Sequence, residues 1–130
     1  MNPTAKSILA VAGAIVAVFV LSLGTDQILH VAGLYPAWGV RMSDPLFALA
    51  TAYRLVFNVV GGFIAAKLAP ANPMKHVWIL AWIGLGLSAL GVVGSLARPD
   101  IGPLWYPVIL FLSAVPCTWL GGKLATRSAV

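Results

Sequence analysis

Four apolar stretches, about 7–30, 45–69, 74–97 and 104–125, decide what this chain can fold into. Crossing about 30 Å of hydrocarbon as a helix takes about 20 mainly apolar residues, and each stretch is that long. Backbone N–H and C=O groups have no water to bond in lipid, so a span of this length must satisfy them internally, as a helix does. The expected fold class is all-α, a four-transmembrane-helix bundle forming a single domain over residues 1–130. A soluble alternative fails on surface area. Hydrophobic residues make up 61% of the chain and charged residues 8%, against about 25% charged in soluble domains. A chain this short leaves too much of its surface outside to hide the remainder.

Local signals agree with the spans. Asn2-Pro3, Asp44-Pro45, Asn72-Pro73 and Gly102-Pro103 each put a capping-type residue before a proline. At the first helical position the missing N–H costs nothing and the fixed φ suits a helix. Pro36, Pro70 and Pro99 stop the helices before them. The first stretch follows Lys6, which is the general form of a secretory signal. No small-x-small cleavage pattern comes after it, and the apolar pattern runs on through Gln27-Ile28-Leu29, so it reads as an uncleaved helix.

Charge sets the expected orientation. With the N-terminus inside, Lys6, Lys67, Lys75, Lys123 and Arg127 flank the cytoplasmic ends, and only Arg41 and Arg98 flank the outer ends. That bias puts both termini in the cytoplasm, and bacterial inner membrane is the expected location. All three acids, Asp26, Asp44 and Asp100, then fall on or near the outer side. Tyr35, Trp38, Trp105 and Tyr106 read as belt aromatics at the outer interface, with Trp78 and Trp119 near the inner one.

Lipid gives no hydrophobic reward for helix association, so small side chains must let the helices approach. The third span offers Gly84, Ser88, Gly91 and Ser95, the fourth Ser113, Cys117 and Gly121. The second offers Gly61 with Ala65 and Gly62 with Ala66, the first Gly13 and Ala17. A compact bundle with these faces in contact is expected. Cys117, the single cysteine, reads as a small hydrophobe.

One constellation carries chemistry, because ionisable groups inside a bilayer are expensive and either paired or functional. Arg54 lies nine residues past Pro45, about 14 Å along the second helix. Asn58 is one turn further in on the same face. Asp26, late in the first helix, is its natural partner, with His30 at i+4 beside it. Thr25 and Tyr53 are within reach of the same cluster. The candidate binding set is therefore Arg54, Asp26, His30, Asn58 and Tyr53. The pair either locks the first helix to the second, or lines an outward cavity where Arg54 receives an anionic group or Asp26 and His30 relay protons. In a third reading Arg54 only snorkels outward. Val31 to Ser43, with Tyr35-Pro36-Ala37-Trp38-Gly39, is either a belt anchor or an ordered cap.

No HExxH, paired-cysteine motif, Gly-rich phosphate loop or nucleophile elbow occurs in the sequence, so no cofactor, metal site or catalytic set is expected. His76 opens the third helix on the side opposite His30 and reads as a surface residue. Scattered bases at segment ends do not make a nucleic-acid footprint. The strings Gly24-Thr25-Asp26-Gln27, Tyr35-Pro36-Ala37-Trp38-Gly39, Ala52-Tyr53-Arg54, Gly61-Gly62 and Leu68-Ala69-Pro70 resemble a group of small bacterial four-helix membrane proteins. That resemblance covers most of the chain and implies the fold but no activity. The membrane glutamate of small multidrug transporters, the Asn and Phe signature of fluoride channels, and the Arg- and Glu-rich pattern of glutathione-using membrane enzymes are all missing. The expected partner is the lipid bilayer, together with either a larger membrane protein or further copies of this chain. The leading functional expectation is a non-enzymatic accessory or assembly subunit. The alternatives are a small oligomeric carrier or channel for an anionic or proton-coupled solute, and a membrane enzyme acting on a lipid or quinone headgroup.

Overall fold

The computed structural model describes residues 2–36, 42–100 and 102–127. Within them the chain forms α1 (Pro3–Val31), α2 (Asp44–Leu68), α3 (Pro73–Ala97) and α4 (Trp105–Arg127). Each is long and apolar enough to cross a bilayer.

The ends show which local signals act. Asn2 caps α1, its side-chain oxygen accepting from the Ala5 N–H at 2.7 Å, so the helix starts at Pro3 rather than near residue 7. Asp44 is already helical, and Ser43 stands in the cap position without a side-chain bond. Asn72 precedes Pro73 in the left-handed region, at φ 48°. A residue before proline avoids the right-handed helical region, and asparagine is among the few non-glycines that tolerate the left-handed one. α4 begins at Trp105, two residues after the Gly102-Pro103 signal. Gly102 serves packing instead, since a Cβ there would stand 2.6 Å from Phe47 Cζ.

α2 and α4 run parallel and make the central contact of the bundle, with α1 packed on α2 and α3 packed on α4 and α2. Among the described residues α1 does not pack on α4. Two small-residue faces of α2 make this possible. On one, Gly61 takes the Val18 side chain of α1, at 2.6 Å from where a Cβ would be, and Ala14, Ala65 and Leu80 close the contact. On the other, a Cβ at Gly62 would overlap the Thr118 carbonyl oxygen, and one at Gly121 would overlap that of Val59. Gly122 likewise receives Val77, which forms a core cluster with Ala66 and Ala125. The half of the bundle nearest the chain termini is thus closed backbone to backbone.

Several packing expectations need correction. α1 approaches its neighbours through fully buried Ala10 and Ala14, whereas Gly13 makes only ordinary contact, 3.7 Å from Leu68. On α4 the tight position is Gly121; Ser113 bonds its own helix at the Leu110 carbonyl. On α3 the two glycines of the stripe meet no helix among the described residues, for a Cβ at Gly84 or Gly91 would find nothing within 4 Å. The reason is that α3 touches α1 only near the termini and then leaves it. His76 is not a surface residue: it is 6% exposed, with Nε2 at 2.8 Å from Ser7 Oγ and Nδ1 at 3.0 Å from the Asn72 carbonyl. That tie pins the start of α3 to the start of α1.

Candidate functional site: a polar cluster under a lateral cavity

The Asp26–Arg54 pair is formed. Arg54 Nη2 donates to Asp26 Oδ2 at 2.5 Å, and Asp26 is 7% exposed. Tyr53, adjacent to Arg54 on α2, donates its hydroxyl to Asp26 Oδ1 and accepts from Arg54 Nη1 at 3.2 Å. Tyr35 continues the chain, its hydroxyl 3.0 Å from that of Tyr53. Both carboxylate oxygens are therefore occupied by donors from α2. An ion pair in such surroundings needs its leftover groups satisfied, and the two tyrosines do part of that.

Two tyrosines expected at the interface belong here instead. Tyr35 is 4% exposed. Tyr106 packs against Phe47 at a tilt of 53°, with ring centroids 5.0 Å apart, and its ring lies 6.0 Å from the Arg54 Cζ. The Tyr53 ring lies 5.3 Å from the same carbon. Aromatic faces on a guanidinium add favourable electrostatics where water is scarce. The sequence signal that could have found Tyr106 is its place at the start of α4, level with Phe47 near the start of α2. Trp38 and Arg41, and with them the cap over the bundle, lie outside the described residues.

Other members of the expected set are placed differently. His30 turns to the chain that follows α1, with Nδ1 2.7 Å from the Pro36 carbonyl and its ring edge-on to Tyr35. These two contacts hold it against Tyr35. Thr25 bonds back to the Leu21 carbonyl of its own helix. Asn58 joins neither Asp26 nor Arg54; among the described residues its amide makes no hydrogen bond. It faces a cavity.

That cavity occupies about 460 Å³ between α1 and α3, over the parallel α2–α4 pair. Ile15, Phe19 and Leu23 line the α1 side, and Leu87, Ser88 and Gly91 the α3 side, with Arg54 and Asn58 on the floor. Phe19, Leu23, Leu87 and Leu90 at its rim are exposed, so it opens sideways. The volume lies within the range of small-molecule pockets, which are mostly apolar with a few placed polar groups. The Ser22 and Thr118 hydroxyls line it too. Their residues are 8% and 6% exposed, and among the described residues neither hydroxyl has a hydrogen bond. No fully enclosed side-chain polar atom among the described residues lacks a partner, so these oxygens remain reachable from the cavity.

The sequence matches no protein-family model, no curated protein and no solved structure. The chemistry of the cavity itself carries the functional reading. No group of His, Cys, Asp or Glu able to hold a metal ion occurs among the described residues. The arrangement places hydrogen-bond donors and hydroxyls at the end of an apolar slot.

Proposed function

We propose that this protein is a non-enzymatic, multi-pass membrane subunit that takes an amphiphile sideways from the bilayer into the cavity between α1 and α3. One observation carries the reading: an apolar slot open toward the lipid side ends on Arg54 and Asn58, polar groups with unused hydrogen-bonding capacity. An unbonded amide in hydrocarbon costs several kcal/mol, so the slot favours an occupant that supplies a polar head. Both termini face the cytoplasm of a bacterial inner membrane in this proposal. The support is that Lys6, Lys67, Lys75, Lys123 and Arg127 all gather at the end of the bundle away from the three acids.

The test is native mass spectrometry of the gently extracted protein with its lipids retained. A bound amphiphile, lost when Gly84→Leu fills the slot, is the expected result. An empty protein whose lipid content is unchanged by that substitution would sink the reading. A second reading, attachment to a larger membrane partner, draws on the outward side of α3. There Trp82, Val93 and Leu96 are exposed, and a Cβ at Gly86 or Gly94 would meet nothing within 4 Å. The same spectra separate the two, because a different, larger chain would stay bound when the slot is filled.

A further inference from the structure

We infer that the cavity selects an amphiphile with a neutral, carbonyl-bearing head, such as a quinone ring or an acyl ester, and disfavours a phosphate head. This rests on the proposed lateral binding site and narrows its occupant. The argument begins with charge. Arg54 is the cationic group on the cavity wall, and Asp26 already holds it at 2.5 Å. The floor is therefore a neutral pair. A phosphate entering it would stay an uncompensated charge in a medium where such charges are very costly.

Depth gives the second reason. Arg54 lies ten residues from the first residue of α2, about 15 Å along the axis. A phosphate would have to leave the interface by that distance, whereas an uncharged head loses little hydration in doing so.

Hydrogen-bonding capacity gives the third. A guanidinium has about five N–H donors. One N–H on Nη2 bonds Asp26 and one on Nη1 bonds Tyr53, and the others have no hydrogen-bond acceptor among the described residues. Asn58 adds an amide one turn away, and the Ser22 and Thr118 hydroxyls stand beside it on the wall. Donors in excess and no unpaired cation match carbonyl oxygens that accept without bringing charge. The apolar walls from Ile15 to Leu23 and from Leu80 to Leu90 suit an isoprenoid or acyl tail.

The experiment measures binding of three probes to the full chain in lipid nanodiscs: decylubiquinone, dioctanoylglycerol and myristoyl-lysophosphatidate. At least one neutral probe should bind ten-fold or more tighter than the phosphate, and Asn58→Leu should weaken it about ten-fold. A ten-fold change is about 1.4 kcal/mol, the size of one net hydrogen bond. Asp26→Asn, which frees the charge of Arg54, should shift preference toward the phosphate. Which neutral probe wins distinguishes a ring carbonyl from an ester. If lysophosphatidate binds as tightly as the neutral probes and Gly84→Leu abolishes all binding, the site stands and the neutral-head inference is overturned. If no probe responds to Gly84→Leu, the site itself fails and the inference with it. Should Asp26→Asn not fold, the wild-type ratio and Asn58→Leu decide the matter.

Discussion

The half of the bundle nearest the termini and the half nearest the α1–α2 and α3–α4 connections are both rich in small residues, yet they use them in opposite ways. Near the termini, Gly61, Gly62, Gly121 and Gly122 bring neighbouring backbones and side chains so close that a single Cβ would collide. Further along α3, a Cβ at Gly84, Gly86, Gly91 or Gly94 would meet nothing within 4 Å, and the space beside Gly84 and Gly91 is the cavity. What joins α1 to α2 there is polar: one carboxylate, one guanidinium and two tyrosine hydroxyls. The lesson is that a glycine in an apolar helix does not itself report close packing. It permits close approach, and whether a neighbour arrives depends on where the partner helix is directed.

The largest effect expected tests that contrast directly. Gly121→Leu must displace the backbone at Val59, beyond the 1–3 kcal/mol of ordinary overpacking, and should yield no cooperative thermal unfolding by circular dichroism in micelles. Gly91→Leu should leave the transition within about 0.5 kcal/mol of the parent, as surface changes do. Equal behaviour of the two variants would break the comparison.

Next comes the polar tie. Arg54→Leu leaves Asp26 buried and unpaired and should cost about 3–5 kcal/mol. The double change Asp26→Leu with Arg54→Leu should cost clearly less, since no charge is stranded. Equal losses in chemical denaturation would show that the pair is not what joins these helices. Tyr53→Phe removes the hydroxyl between Tyr35, Asp26 and Arg54. It should cost about 1.5–3 kcal/mol, the range for hydrogen bonds to charged groups.

A smaller loss should follow from Ser7→Ala, which takes the partner from His76 Nε2; about 1 kcal/mol is expected. The smallest concerns Arg98 and Asp100, 3.3 Å apart and exposed. The Arg98 guanidinium holds the Asp100 carboxyl below its usual range. A depressed carboxylate stabilises the fold above its unfolded value, about pH 3.9, and that contribution fades as pH falls through the folded value. Exposed pairs are worth little, so Asp100→Asn should leave the melting curve at neutral pH unchanged. A visible shift there would mean that the connection half is tied by more than the Asp26 cluster.

Much of the site was legible in the sequence. Arg54 and Asp26 stood out because charge in an apolar run needs a partner, and a short connection makes α1 and α2 antiparallel neighbours. Tyr53 was within reach of the same pair. Asn58 was assigned to the right face but the wrong company, since one turn of helix carries it past the ion pair to the cavity. His30 bonds the Pro36 carbonyl, a contact that depends on how the chain leaves α1 and that its own helix does not show. Tyr35 and Tyr106 could not be told from interface aromatics, because amphipathic rings look the same in sequence whether they meet headgroups or a buried guanidinium.

By itself the sequence determined the number of helices, their near limits, and the separation of bases from acids along the bundle. These are one-dimensional properties: a run of apolar residues, a proline or a charge acts locally or against the solvent. Only the tertiary structure decided that α2 and α4 meet at their glycines, that α3 parts from α1, and that Arg54 stands beside an open slot. Those outcomes depend on the directions in which packed helices diverge. Direction is set by side chains meeting across the bundle, such as Val77 on Gly122 and Val18 on Gly61, and no single helix carries it.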